Sequence, residues 1–432
     1  MSAGSARADI VWEGQTVSAW PDIDTDPTHA HDDDHGPFLA QRAARGIFPA
    51  PKGVVRGLTI LVDFSDQGPI FSAGEIDALL NQKGYKERGV NGSVRDYFLD
   101  QSNGMVDFQN DVVGYFRASK PKSYYQGGTG YNRSYELWNE VIAGLDSQID
   151  FSKYDNDGDG RTEAIAIVYP GDRGTWGKGI WPHATGSSTR RDGVVLARYL
   201  MATFTYQLGI YTFAHESGHM LFGWPDLYGF GDYCVMGNSS SQTNPAGIND
   251  FFRADQGWIP RVDVTAATRA AFTATPNGAG YYYVNPADPS ELFFWSNVQN
   301  TGRWAGLRGG GLLVHRFVGK RRTNNPPSPL MLSVVQADGL DQLGGTQWPR
   351  PGSDPNDFFF GGGRSEISDA TTPNTRWASG APSGLRVHGI GPKGPQMAFS
   401  VGGPAAAQPV AARSVPEPNA TAAEGVVAEP IP

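Results

Sequence analysis

The segment GIYTFAHESGHMLFGWPDLYG (209–229) restricts this chain more than any other, because it asks for one short buried helix that ends in a sharp reversal. Ile210, Phe213, Ala214, Ser217, Met220 and Leu221 supply an apolar face with few breakers, and Gly223 and Pro225 then stop it. On such a helix His215 and His219, four apart, project from one face one turn above the other. Two imidazoles so placed can share a zinc ion, with Glu216 angled toward a metal-activated water as general base. A catalytic zinc also needs a third protein ligand, and a reversal at Gly223 brings Asp226 back as that ligand. The bland alternative is a pair of structural histidines on an ordinary helix. Gly223, Asp226 and the buried-looking Met236 of YCVMG, all at short range, argue against it.

Length and composition frame that segment. The 432 residues allow two domains with a sizeable core, and 39% hydrophobic content fits a folded chain. A net charge of −9 with no evident basic face argues against nucleic acid as the main partner. Cys234 is the single cysteine, so no internal disulfide can form. No apolar run approaches the roughly 20 residues of a membrane helix. The start MSAGSARADIVWEG also lacks the charged and apolar regions of a signal peptide.

Along the chain, 1–52 reads as an irregular arm, whose cluster HAHDDDH (29–35) is taken as a solvated acidic segment rather than a metal site. LTILVDF (58–64), MVDFQNDVVGYF (105–116) and AIAIVYP (164–170) read as strands. Ser72 with Glu75, and Ser93 with Asp96, mark helix starts, Asn103-Gly104 ends the second helix, and SYELWNEVIAGLD (134–146) has helical apolar spacing. Residues 53–261 therefore form a domain of mixed sheet plus helices, giving an α+β class. From 262 to 402 short β-prone runs such as GYYYVN, ELFFWSNVQ, GLLVHRF, LMLSVVQAD and QMAFSV predict an all-β, sandwich-like domain. The Ala/Pro/Val/Glu-rich stretch 403–432 reads as a disordered tail.

HESGHMLFGWPDLYG followed by GDYCVMG resembles the immune inhibitor A family of secreted bacterial zinc metallopeptidases, which carry a metzincin-like H-E-x-x-H-x-x-G-x-x-D motif and a later methionine turn. LTILVDFSD, GSVRDYFLDQSNGMVDF, YDNDGDG, IWPH, VVQADGLDQL and WASGAPSGLRVHGI extend the likeness over roughly 55–402. The resemblance implies a secreted endopeptidase acting on protein or peptide substrates. His215 and His219 become zinc ligands, Glu216 the base, and Met236 the methionine that packs beneath the site. A monomer is expected. Two departures stand out. Phe222 and Pro225 occupy the family's glycine and aspartate positions, so Gly223 and Asp226 each fall one residue late. In FFWSNVQN (293–300), Ser296 and Val298 replace charged members of a Glu-Asn-Arg group. The competing reading is a non-catalytic, metal-stabilised extracellular binding module that kept a protease fold; the intact Glu216 argues against it.

A second metal is expected at YDNDGDGRTE (154–163). Asp155, Asp157 and Asp159 alternate ahead of Gly160 as in the first half of a calcium loop, and the resemblance adds to that reading. The twelfth position counted from Asp155 is Ala166, so Glu163 or a carboxylate from elsewhere must complete the shell; the alternative is a metal-free Asx-turn loop. His183 is either a cleft donor to a developing oxyanion or a packed histidine beside Trp181. Tyr228 or Tyr233 could donate to the same oxyanion. His315 and His388 read as structural and Cys234 as a buried inert thiol, while core packing accounts for Trp295, Trp304, Trp348 and Trp377.

Overall fold

The structure is a computed structural model, and it describes residues 10–12, 15–17, 51–237, 241–265, 269–321, 329–343 and 353–402. The His29–His35 cluster, Trp348 and the tail from 403 lie outside the described residues. Within the arm, the backbone of β1 (Ile10–Trp12) pairs antiparallel with β2 (Gln15–Val17).

The first half is built on a five-stranded sheet of β3 (Gly53–Asp63), β4 (Val106–Arg117), β5 (Ile165–Tyr169), β9 (Arg198–Thr203) and β6 (His183–Gly186), in the order β4-β3-β5-β9-β6. The first four strands are mutually parallel and the edge strand β6 runs antiparallel to β9. A ribbon of β7 (Arg190–Arg191) and β8 (Val194–Val195) separates β6 from β9.

Alternation along the strands sorts the helices onto two faces. Ile165, Ile167 and Tyr169 of β5, with Tyr199 and Met201 of β9, pack with Leu137, Trp138, Val141 and Ile142 of α4 (Asn132–Leu145). The intervening residues Ala164, Ala166, Val168, Leu200 and Ala202 face the opposite side. There they meet α1 (Ala73–Asn81), α2 (Val94–Gln101) and α5 (Tyr211–Phe222). Such two-sided burial is why these strands read as unbroken apolar runs. Ser72–Glu75 and Ser93–Asp96 form full capping boxes, fixing where α1 and α2 begin. The short α3 (Lys122–Tyr125) leads into α4.

Beyond α6 (Asp250–Asp255) the chain forms two further sheets. One has the order β10-β12-β13-β14-β15, from Arg261–Asp263, Gly280–Val284, Glu291–Val298, Gly311–Val318 and Leu332–Val334. The other runs β11-β18-β17-β16, from Arg269–Ala274, Met397–Gly402, Arg386–His388 and Ile367–Ser368. Tyr281, Phe293, Trp295 and Val314 of the first sheet meet Val387, Met397, Phe399 and Val401 of the second in one apolar cluster. The reverse face of the first sheet sends Tyr282, Leu292, Phe294, Leu313 and Phe317 into the same cluster as α5. The core beneath the H-E-x-x-H helix therefore crosses residue 262 without a break.

Two histidines are enclosed by this packing. His183 is fully buried, against the Tyr131 ring at 4.4 Å, with Nδ1 2.6 Å from Trp181 O and Nε2 3.2 Å from Ser134 Oγ. His315 is fully buried between Phe230 and Phe294. Burial pushes His183 down to about 4 and His315 to about 3 from an ordinary 6.5. The unfolded chain then binds protons that the folded chain refuses. The resulting stability is present above pH 6.5 and lost as pH falls toward 4, at about 1.4 kcal/mol per pH unit for each group. Melting temperature is expected to drop on acidification from pH 6 to 4.5, and His183→Gln to flatten that slope; an equal slope in the variant would contradict this.

Candidate metal centre

Helix α5 carries His215, Glu216 and His219 inward, each at most 8% exposed. It ends at Gly223, whose left-handed φ of 64° lets its N–H and that of Trp224 cap the last carbonyls. The reversal lands Asp226 (3% exposed) against both imidazoles. The chain then passes through a 3-10 segment, Tyr228–Tyr233, into the turn Cys234–Gly237, closed by Gly237 N–H to Cys234 O.

Three atoms converge. His215 Nε2 and His219 Nε2 are 3.2 Å apart, and Asp226 Oδ1 lies 3.1 and 3.4 Å from them. Ligands about 2.0–2.1 Å from a tetrahedral zinc stand about 3.3–3.4 Å from one another, which is nearly this triangle. The donor set fits as well. His215 Nδ1 donates to Val235 O at 2.9 Å and His219 Nδ1 to Trp224 O at 2.6 Å, so each ring points an Nε2 lone pair inward. Two lone pairs and a carboxylate oxygen facing one point repel unless a cation or proton sits among them. His215 carries that tension: burial opposes its charge, yet Asp226 pushes it up to about 9. Glu216 is pushed up to about 8, chiefly by burial, with His215 opposing and Asp226 adding, and its Oε2 is buried without a hydrogen-bond partner.

Met236 lies against the same helix. A Cβ on Gly218 would come within 2.5 Å of Met236 Sδ and 3.1 Å of Trp224 Cε3, so glycine is what admits the thioether against the turn that joins His215 to His219. Gly218→Ala is expected to destabilise by about 1–3 kcal/mol through overpacking, read in urea unfolding. An unchanged midpoint would show that Met236 simply moves aside. Met236 O also accepts from Leu227 N–H at 2.7 Å, tying the turn to the residue after Asp226.

The four carboxylates Asp155, Asp157, Asp159 and Glu163 also gather, with one oxygen from each mutually within 4.8 Å. Asp155 accepts from Gly158 and Gly160 N–H, and Asp157 from Asp159 N–H. Glu163, one of the two options the sequence left open, accepts twice from Asn156, which is itself fastened to the Arg56 main chain. Burial pushes Glu163 up to about 7.

His183 takes the packed position described above. Tyr233 donates to Asp357 Oδ2 at 2.6 Å, and Tyr228 is half-buried in the same segment. Cys234 is buried, its thiol pushed up to about 12 by burial. Sequence reasoning missed Tyr211, which donates to Gly237 O at 2.7 Å beside the His215 ring, and Gly218; only the later methionine hints at the latter. The Val235 and Trp224 carbonyls leave no residue-type signal.

Two histidines and an aspartate converge on one point, with a carboxylate next in sequence to the first, and donors of these types can hold a metal ion. The chain is 27% identical over 252 residues to the pre-pro-metalloprotease PrtV of Vibrio cholerae serotype O1, in each of two strains. The alignment covers 54% of this chain and 24% of that protein, so the chain spans about a quarter of the length of the curated relatives it matches. No family model matches the chain. A crystal structure of metalloproteinase-II from Bacteroides fragilis overlaps 50% of this chain and 59% of that one at 16% identity and a TM-score of 0.25, a score that carries no argument. Among the described residues no helix is long and apolar enough to cross a membrane.

Proposed function

We propose that the chain is a zinc-dependent endopeptidase of metzincin-like architecture, akin to the immune inhibitor A family and acting outside the cell on protein or peptide substrates. The observation that carries this reading is the triangle of His215 Nε2, His219 Nε2 and Asp226 Oδ1 with Glu216 beside it. The likeness to metalloproteases supports it. The one-residue delay relative to the family motif is absorbed by the left-handed Gly223, which leaves Asp226 rather than Pro225 facing the histidines.

His215, His219 and Asp226 would hold the ion. Bound there, zinc supplies Lewis acidity, lowering the pKa of water and polarising a carbonyl. Glu216 takes the proton from the attacking water and delivers it to the departing amine nitrogen. Burial alone favours the protonated form of Glu216, and the positive charge of a bound cation beside it would favour the carboxylate that accepts this proton. The edge strand β6 pairs only with β9 among the described residues, which leaves a sheet edge to which an extended peptide can add. We read the facing sheets after residue 262 as a sandwich-like support.

Casein zymography tests the reading. Clearing that disappears with a zinc chelator and returns with zinc is expected. A protein that holds zinc yet clears no casein would instead be a binding module.

We also propose calcium at Asp155, Asp157, Asp159 and Glu163, in a structural role. Because Glu163 must give up its proton, affinity is expected to weaken by up to about tenfold per pH unit below 7. Calcium should raise the melting temperature at pH 8 and much less at pH 5.5. No calcium response at either pH would remove the second metal.

A further inference from the structure

Asp357 is fully buried, and its carboxylate accepts from two uncharged side chains and one backbone N–H. Oδ2 accepts from Tyr233 Oη at 2.6 Å and from Asp354 N–H at 2.9 Å, while Oδ1 accepts from Gln336 Nε2 at 2.6 Å. Gln336 is pinned in turn: its Oε1 accepts from Leu343 N–H at 3.1 Å and its Nε2 also donates to Gln342. The Asp357 carbonyl accepts from Ala337 N–H, closing the two segments on each other. Dry polar networks with every group satisfied hold one arrangement rather than several.

This network belongs to the β-rich half, and Asp357 is 124 residues from Tyr233 in sequence. Tyr233 closes the 3-10 segment and adjoins the Cys234–Gly237 turn. That turn provides Val235 O to His215 Nδ1, sets Met236 Sδ against Gly218, and holds Leu227 through Met236 O. The Tyr233 hydroxyl therefore anchors the stretch of backbone that orients two of the three converging ligands. The Tyr233 ring meets Phe358 edge-on at 5.6 Å, so the same contact is apolar on its flank.

We infer that Asp357 is a positioning residue for the metal centre, acting through Tyr233, so that the β-rich half sets the ligand geometry instead of merely covering it. This rests on reading His215, His219 and Asp226 as metal ligands. Groups bonded directly to a metal ligand typically account for roughly 10–100-fold in metal affinity, and the Tyr233–Asp357 bond acts one step behind such a group, the Val235 carbonyl.

The full chain is made as Tyr233→Phe, Asp357→Asn and the double variant. Zinc affinity is measured by chelator competition, ligand field by the visible spectrum of the cobalt-loaded protein, and stability by melting. Each single variant is expected to weaken zinc binding by up to about tenfold, the low end of what direct ligand partners contribute, and to shift the cobalt bands. The double variant should add little beyond either single one, because both cut the same link. A lower melting temperature with wild-type zinc affinity and cobalt spectrum would overturn the proposal, leaving the network a fastener only. Tyr233→Phe keeps the ring against Phe358, so it decides the matter if Asp357→Asn does not fold. Wild-type protein that binds zinc and cobalt without cleaving casein would sink the peptidase reading and leave this one standing.

Discussion

Glu216→Gln is expected to keep its zinc and lose peptide cleavage by roughly 10²–10⁴-fold in kcat, the usual contribution of a positioned general base. The amide has the carboxylate's shape, so the helix and its packing should hold. What disappears is the ability to take up a proton. Glu216 is buried within reach of the charges of His215 and Asp226, and its Oε2 has no hydrogen-bond partner, while His215 and His219 converge with Asp226 on a common point. A metal titration of the variant should therefore match wild type while progress curves on a fluorogenic peptide go flat. Substantial turnover by Glu216→Gln would falsify the assignment of the base.

Asp226→Ala is expected to do the opposite, emptying the centre. Loss of a hydrogen-bond partner behind a metal ligand costs roughly 10–100-fold in affinity, and loss of a ligand should exceed that. The remaining Nε2 atoms, 3.2 Å apart, would offer only two points of attachment. Zinc should leave the variant during dialysis that the wild type survives, as elemental analysis would show, and activity should fall with it. Asp226→Asn keeps an oxygen but not the charge, and belongs between the two. One zinc per chain retained by Asp226→Ala at wild-type affinity would mean that the third ligand lies elsewhere.

Local signals in the sequence placed much of the fold. The capping pairs at Ser72 and Ser93, the reversal at Gly223 and the apolar runs of β3, β4 and β5 all act over a few residues. The stretch LMLSVVQAD shows the limit: Leu332–Val334 is strand, Met331 and Val335 still bond to β14, and beyond them Gln336 reaches Asp357. Strand order was not legible, because β3 pairs with β5 across a hundred residues and nothing in either run names its neighbour. Of the residues that converge, side-chain spacing singled out His215 and His219, with Glu216 beside them in sequence, and turn chemistry singled out Asp226. The carbonyls that set the imidazole tautomers were invisible because every residue has one. Asp357 was invisible for another reason: an isolated aspartate in DPNDFFF carries no mark of the tyrosine it meets.

The acceptors behind both histidines are main-chain oxygens, of Val235 and Trp224, and this affects how the site can decay over generations. No codon change can delete a carbonyl. Mutational drift at positions 224 and 235 can alter bulk, but not the group that fixes each ring's protonation pattern. The hereditary weak points move instead to Gly223, whose left-handed φ strains any other residue, and Gly218, where any side chain collides with Met236. Surveys of natural variants should find those glycines more intolerant of change than the large aromatic side chain at Trp224.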